Sequence, residues 1–313
     1  MTATTATATA APPASGESLS TAHKREARVG LAFIAVPMAL FLILNIFAIG
    51  YALFISFFQW GIRGPRDFLG FANYQELLFD DPVFVSKAVF NTLRYAIVVV
   101  PAQMALGLFL AVVVNQKIRG QTFFRAAFYF PAIASSAAIA VLFTFITQPD
   151  GLFNAVLGFI GVQSDTNWTN DPATAMGSVM VLNIWTTSGT MMLFYLASLQ
   201  SISREVYEAA ALDGAGPWQA FWRVTFPLLK PAHYFVAVVS FIGALQMFDQ
   251  AFILGGGDGS PANSLTTMVL YLYRASLVQF EFGYAAAVGI ILFVVIMTIT
   301  LIQRRLFGSA PAW

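Results

Sequence analysis

The chain has 313 residues, 58% of them hydrophobic and only 10% charged, with a formal net charge of +1. Its mean hydropathy is +0.73, and a soluble domain, which carries roughly 25% charged residues, could not hide that much apolar surface, so lipid is part of its solvent. A charge so near zero offers no field to steer a nucleic acid or another acidic partner, and the absence of cysteine excludes disulfides, thiolate metal sites and thiol nucleophiles. The two histidines, His23 and His233, are too few for a metal cluster, and each reads as a solvated interfacial side chain.

In chain order, Met1 to Thr21 is built from Ala, Thr, Ser and Pro and buries too little apolar area to offset its ordering entropy, so residues 1–23 read as a disordered tail. No apolar stretch precedes the basic cluster Lys24, Arg25 and Arg28, which argues against a secretory signal. The run that follows, Gly30 to Phe58, is longer than the ~7 to 15 residues of a cleavable core and stays as an anchor.

Roughly 20 apolar residues cross the ~30 Å hydrocarbon layer. Six stretches qualify: Gly30 to Phe58, Ala88 to Val114, Phe124 to Thr147, Met176 to Leu199, Ala232 to Leu254 and Gly283 to Ile302. Lipid forbids unpaired backbone amides, so each is expected to be helical, with Pro37, Pro101 and Pro131 tolerated where neighbouring helices cover the break. The chain is therefore expected to be an all-α integral membrane protein, with residues 24–313 forming one membrane domain. With the N-terminus inside, the cytoplasmic segments hold Lys24, Arg25, Arg28, Lys117, Arg119, Arg125, Arg204, Arg223, Lys230, Arg304 and Arg305, against Arg63, Arg66, Lys87 and Arg274 outside. This bias places both termini in the cytoplasm. The external loops are acidic, with Asp67, Glu76, Asp80 and Asp81 in the first and Asp150, Asp165 and Asp171 in the second.

The one long cytoplasmic loop, residues 200–231, has the punctuation of two short helices. Ser203 is expected to cap the first, with Glu205 near the positive end of its dipole and Gly214 closing it in the left-handed conformation. Pro217 is expected to open the second helix and Pro227 to stop it. Val206, Ala209, Ala210 and Asp213 fall on one side of the first helix, where small side chains let another surface approach closely. Trp218, Phe221 and Trp222 of the second suit either the headgroup layer or the underside of the bundle. On spacing alone such an elbow also reads as an amphipathic rest on the bilayer.

At these residues the chain resembles the membrane subunits of binding-protein-dependent ABC importers, of the carbohydrate type related to the maltose and glycerol-phosphate systems. Their signature runs Glu-Ala-Ala, three residues, Gly, nine residues, Ile-x-Leu-Pro; here Glu208-Ala209-Ala210, Gly214 and Val224-Thr225-Phe226-Pro227 stand at that spacing. Gly70-Phe71-Ala72-Asn73-Tyr74, Asn91-Thr92 and Gln148-Pro149-Asp150-Gly151-Leu152-Phe153-Asn154 are similar to further family stretches. So are Phe248-Asp249 and Gly255-Gly256-Gly257, although Asp258-Gly259-Ser260-Pro261 replaces the proline usual after the glycines. The resemblance implies a type I importer permease with six transmembrane helices in the bacterial inner membrane, and makes the first elbow helix a coupling helix in a cleft of an ATPase subunit. Glu208, Ala209, Ala210, Asp213, Gly214 and Pro227 would form that joint, with Glu208 making a polar or ionic contact. The implied partners are a homologous second permease, two ATP-binding subunits, an extracytoplasmic solute-binding protein docked on the acidic loops, and membrane lipid. ATP and Mg would be bound by the ATPase subunits, with no cofactor on this chain; consistent with that, the sequence holds no Gly-x-x-x-x-Gly-Lys-Ser/Thr phosphate cradle.

Sugar sites combine an aromatic face with amide and carboxylate groups. Trp185, Gln246 and Asp249, in spans four and five, supply that chemistry, and each reads equally as packing between helices. Asp249 and Arg94 lie at similar depth, either sharing a polar network or resting in the outer vestibule and the headgroups respectively. Thr186, Thr187 and Ser188 read as small packing residues. The expected solute is a di- or oligosaccharide, with a monosaccharide or a glycerol-phosphate ester as the alternative. An ion-coupled secondary carrier would explain Asp249 but not the elbow's spacing, and a membrane-embedded enzyme would need a His, Asp or Glu cluster that the chain lacks.

Overall fold

Within hydrocarbon every peptide group must find its partner inside the protein, and the chain meets that demand with long helices. The computed structural model describes residues 19–116 and 119–307; residues 1–18, Lys117, Ile118 and residues 308–313 lie outside it. The chain divides into two units, at Tyr51 and Ala52. The first contains α1 (Leu19–Phe41), a π-helical turn (Leu42–Phe47) and the start of α2 (Ala48–Ile55). Helix α1 begins inside the stretch read as tail and carries Pro37 within it.

The second unit opens with something the all-α expectation did not contain, an antiparallel hairpin of β1 (Phe58–Gly61) and β2 (Gly64–Phe68). Its tight turn is completed by Gly64 at φ +91°, a conformation that costs glycine no Cβ clash. Helix α3 (Ala72–Gln75) and two π-helical turns lead into α4 (Phe90–Asn115). There follow α5 (Gln121–Ile133), α6 (Ser136–Ile146), α7 (Leu152–Phe159) and the long α8 (Ala175–Ser201). The elbow comprises α9 (Arg204–Leu212), α10 (Pro217–Ala220) and α11 (Phe226–Leu228). Helices α12 (Lys230–Leu245), α13 (Asp249–Gly255), α14 (Met268–Tyr273) and α15 (Phe282–Phe307) complete the described chain.

Among the described residues, five helical runs are long and apolar enough to span a bilayer: Glu26–Ile55, Phe84–Asn115, Ala175–Ser201, Lys230–Gly255 and Phe282–Phe307. The sixth, expected as one helix over Phe124 to Thr147, is instead the pair α5 and α6, bent by 94°. The break has a local cause. Pro131 donates no amide hydrogen, Ala134 is extended at ψ 155°, and Ser135 restarts the helix, its hydroxyl accepting from the Ala138 amide at 3.5 Å. The fifth span is also interrupted, at residues 246–248.

Helices α4 and α8 form the centre of the bundle. Gly107 lets them touch, since a Cβ there would lie 2.6 Å from the Met191 Cβ. Gly189 serves the same purpose toward α5, where a Cβ would fall 2.4 Å from the Phe128 carbonyl oxygen. Small residues at crossings are how helices associate in lipid, where hydrophobic transfer contributes nothing between them. One buried cluster, including Tyr95, Val99, Val179, Leu245 and Met268, packs toward the hairpin end. A second, around Ala111, Met192, Tyr195, Leu199 and Val236, underlies the elbow.

Candidate functional site

The elbow joins two spans, so its geometry is set by how firmly it is held. Helix α9 ends in a Schellman motif: the Ala215 amide donates to the Ala210 carbonyl at 2.9 Å and the Gly214 amide to that of Ala211 at 3.0 Å, with Gly214 at φ +80°. That is the left-handed closure expected of Gly214. Ser203 stands at the N-cap, but its hydroxyl makes no capping bond, contrary to expectation. Pro227 does not stop the second half either. The path continues from α10 through a π-helical turn (Phe221–Thr225) into α11, with Pro227 in the first turn of α11. The wider π turn moves away the carbonyl that a proline ring would otherwise strike.

The exposed surface of α9 carries Val206, Ala209 and Asp213, with Ala210 half-buried. Among the described residues Glu208 pairs only with its own helix, the Arg204 Nε lying 2.9 Å from Oε1. Both side chains are largely exposed, so this i,i+4 pair contributes ~0.3–0.5 kcal/mol and leaves Glu208 available to an outside cation. Trp218 and Trp222 are 73% and 46% exposed, which leaves their indoles open to lipid or to another chain.

One hydrogen bond closes the elbow on itself, and one histidine ties it to the bundle. The buried Thr225 hydroxyl donates to the Tyr207 hydroxyl at 3.2 Å, closing the two halves on each other. His233, at the start of α12, lies with Nε2 3.3 Å from the Phe226 carbonyl and Nδ1 3.0 Å from the Tyr195 hydroxyl of α8. A carbonyl only accepts, so in the neutral ring Nε2 carries the proton and Tyr195 donates to Nδ1. His233 is 9% exposed and is thus a buried strut, not the solvated side chain the sequence suggested. Its place three residues after Lys230, where an apolar span begins, was the available signal.

The residues proposed for the solute pathway do not converge. Trp185 is 52% exposed on α8. Gln246 is the first residue of the unwound stretch after α12 and Asp249 begins α13 beyond it, both exposed. No hydrogen bond joins any two of the three among the described residues, and Arg94, also exposed, forms no ion pair with Asp249. A cavity of about 140 Å³ lies instead between the bent pair and α8, lined by Pro131, Ser136, Leu182, Thr186, Thr187 and Gln250 among others. There the Gln250 Nε2 donates to the Ser136 hydroxyl at 3.1 Å. Thr187 Oγ1 is 2.6 Å from both Gln103 Oε1 and the Asn183 carbonyl, and its one proton serves one of them at a time. Thr186 and Thr187 are therefore part of a polar lining as well as packing residues. Sequence spacing missed Gln103, Asn183 and Gln250 because a lone amide in a span looks the same whether it faces a cavity or a helix.

At the opposite end of the bundle the motif asparagines share one chemistry: each is a buried amide that donates to backbone carbonyls of irregular segments. Asn73 reaches Ser56 at 2.8 Å and Phe58 at 3.2 Å; Asn91 reaches Asn263 and Thr266, each at 3.1 Å. Asn154 reaches Gln148, Pro149 and Thr166 at 2.9–3.1 Å, while its Oδ1 accepts from the Trp168 indole at 2.8 Å. Asp81 is consumed in the same way. Its Oδ1 accepts from the Val83 and Phe84 amides at 2.7 and 2.8 Å, and its Oδ2 from the Tyr284 hydroxyl at 2.9 Å and from that of Tyr271. Burial pushes this carboxyl up, but the bonds from Tyr271, the two amides and Tyr284 outweigh it and hold the group below the usual carboxylate range. The sequence grouped Asp81 with a docking surface, whereas its oxygens are spent inside the protein.

The comparisons with known proteins agree with this architecture. The model of the family described as "Binding-protein-dependent transport system inner membrane component" matches residues 103–309. The probable ABC transporter permease protein YurN of Bacillus subtilis (strain 168) is 37% identical over 280 residues, 88% of this chain and 94% of YurN. The arabinooligosaccharides transport system permease protein AraP of the same organism is 36% identical over 265 residues, 82% of each chain. The lactose transport system permease protein LacF of Rhizobium radiobacter is 34% identical over 278 residues, 88% of this chain and 92% of LacF. A chain from the crystal structure of a bacterial alginate ABC transporter superposes with a TM-score of 0.77 at 24% identity, covering 93% of this chain and 99% of that one, which shows a common fold. With one family model over most of the second unit and relatives aligned along more than four fifths of its length, the chain belongs to the inner-membrane components of binding-protein-dependent transport systems.

Proposed function

We propose that this chain is a permease subunit of an ATP-driven, binding-protein-dependent importer of di- or oligosaccharides, with both termini in the cytoplasm. The observation that carries the reading is the elbow: a short helix with a Schellman close, its small-residue surface and Glu208 open, closed on its second half through Thr225–Tyr207, with that half bonded to α12 through Phe226–His233 and α12 to α8 through His233–Tyr195. Relatives named for arabinooligosaccharide and lactose transport support the solute class. The assembly would comprise this chain, a homologous second permease, two ATP-binding subunits that hold ATP and Mg, and an extracytoplasmic solute-binding protein. This chain carries out no covalent chemistry.

The mechanism follows from stiffness. Closure of the ATPase subunits moves a helix seated in their cleft. Because α9 is bonded to its own second half, that half to α12 and α12 to α8, the displacement becomes a rocking of spans four and five. The interruption at 246–248 in span five and the 94° bend of the α5–α6 pair beside span four are the places where helices can change direction without breaking packed turns.

The test is uptake by the reconstituted complex. Glu208→Lys places a lysine four residues from Arg204, which costs the helix only ~0.5 kcal/mol. Gly214→Pro forces φ to about −65° where the fold needs +80° and deletes the amide that donates to Ala211. Both variants are expected to insert and assemble while ATP-driven sugar uptake falls at least tenfold. Wild-type uptake by either rejects the elbow as the coupling element.

A further inference from the structure

One cavity at the hairpin end plays no part in the elbow described above. It is a cleft of about 590 Å³ between the β1–β2 hairpin, the turn after α3 and the segment that leads into α15. This volume lies within the roughly 300–1,000 Å³ of small-molecule sites. Its lining includes Trp60, Arg63 and Arg66 of the hairpin, Glu76 after α3, and Phe280 and Glu281 before α15.

The walls are fixed before any ligand arrives. Gly283 brings α15 against the hairpin so closely that a Cβ there would lie 2.0 Å from the Phe58 carbonyl oxygen. Asn73 clamps the hairpin's base through Ser56 and Phe58, and Tyr284, which also lines the cleft, is held by Asp81. Phe280 stands in the left-handed region at φ +59° and is 44% exposed as a residue. A bulky side chain rarely adopts that backbone, which costs of order 1–3 kcal/mol and concentrates at ligand-contacting positions.

The chemistry of the lining selects the ligand. Two guanidinium groups and two carboxylates cancel in charge, and none of the four is engaged in an ion pair among the described residues. A cleft with unspent donors and unspent acceptors but no net charge favours neither an anion nor a cation. It suits a neutral molecule whose groups both donate and accept, and hydroxyls do so. The indole of Trp60 and the ring of Phe280 add apolar faces suited to the C–H side of a sugar ring.

We propose that this cleft is a saccharide-binding subsite at the hairpin-end mouth of the pathway, taking one or two neutral sugar rings between Trp60 and Phe280, with Arg63, Arg66, Glu76 and Glu281 bonding their hydroxyls. This rests on the sugar-import reading and adds to it a contact outside the membrane helices. The subsite would hold solute at the entrance while the helices below change orientation.

The test is saturation-transfer NMR on the purified transporter complex in nanodiscs, without binding protein. Lactose, an arabinotriose and an acidic trigalacturonate are titrated separately. The expected result is millimolar binding of a neutral sugar, weakened at least fivefold in both Trp60→Ala and Glu281→Gln, with trigalacturonate giving no signal. Thermal midpoints within a few degrees of wild type show that these variants remain folded, and Trp60→Phe is expected to retain most of the binding. Absence of saccharide signals, signals unchanged in both variants, or preference for the acidic sugar overturns the proposal. So does a Trp60→Ala variant that binds sugar normally but loses stimulation by the binding protein, since the cleft would then be a protein-docking surface. Sugar uptake by the complete importer is measured in parallel. Uptake without cleft binding rejects the subsite alone, whereas absence of sugar uptake rejects the importer reading.

Discussion

Replacing Asp81 by asparagine isolates the charge from the shape. In the native protein the carboxylate accepts four hydrogen bonds and thereby ties the start of span two to α14 and α15 through Tyr271 and Tyr284. In the variant, the remaining carbonyl oxygen still serves the Val83 and Phe84 amides, but the new NH₂ faces two phenols that must turn round and accept. Bonds to a charged group contribute ~1.5–3 kcal/mol each and neutral ones ~0.5–1.5. With part of the group open to water, the four altered bonds together lose about 2 kcal/mol, at the low end of that difference. The pH dependence has a definite sign. The folded carboxyl titrates below its ordinary value of 3.8, so its contribution is complete above that value and disappears as pH falls through the lower folded value. Thermal unfolding followed by tryptophan fluorescence is therefore expected to show a gap between wild type and Asp81→Asn that is constant from pH 7.5 to 5.5 and closes below about pH 4. A variant as stable as wild type at pH 7.5, or a gap that persists undiminished at pH 3, refutes the latch.

Three further outcomes follow from the packing. Gly189→Val drives a side chain into the Phe128 carbonyl oxygen, 2.4 Å from where a Cβ would stand, and is expected to cost about 1–3 kcal/mol; an unchanged thermal midpoint would contradict the close α5–α8 approach. In a double-mutant cycle of Tyr207→Phe and Thr225→Val, the elbow's internal bond predicts a coupling of about 0.5–1.5 kcal/mol, whereas strictly additive losses would mean the two halves are independent. Asn154→Ala leaves three carbonyls without their donor, so limited proteolysis within residues 148–170 is expected to accelerate several-fold while the spans stay intact; an unaltered cleavage rate would remove Asn154 as the organiser of that loop.

Lipid makes some features of this chain legible from one dimension. Any apolar run of about 20 residues has to cross as hydrogen-bonded backbone, so six spans could be placed from composition and length. Gly214 and Pro217 specify an elbow because left-handed closure and a helix start without an N–H are local demands met by those residues. The spacing from Glu208 to Pro227 carried the resemblance. The direction of a side chain within the bundle is not a local property. Asp81 looked like surface charge and is a latch; His233 looked solvated and is a strut; Pro227 looked like a stop and is carried through by a π turn. The 94° bend between α5 and α6 and the interruption at 246–248 escaped a reading in which hydropathy averages over the very turns where backbone pairing fails. The sequence by itself located the apolar runs and the elbow between α8 and α12, because solvent and backbone chemistry act residue by residue. Only the tertiary structure decided which polar groups are spent on carbonyls and which remain free in a cleft, because that depends on what chains distant in sequence bring within 3 Å.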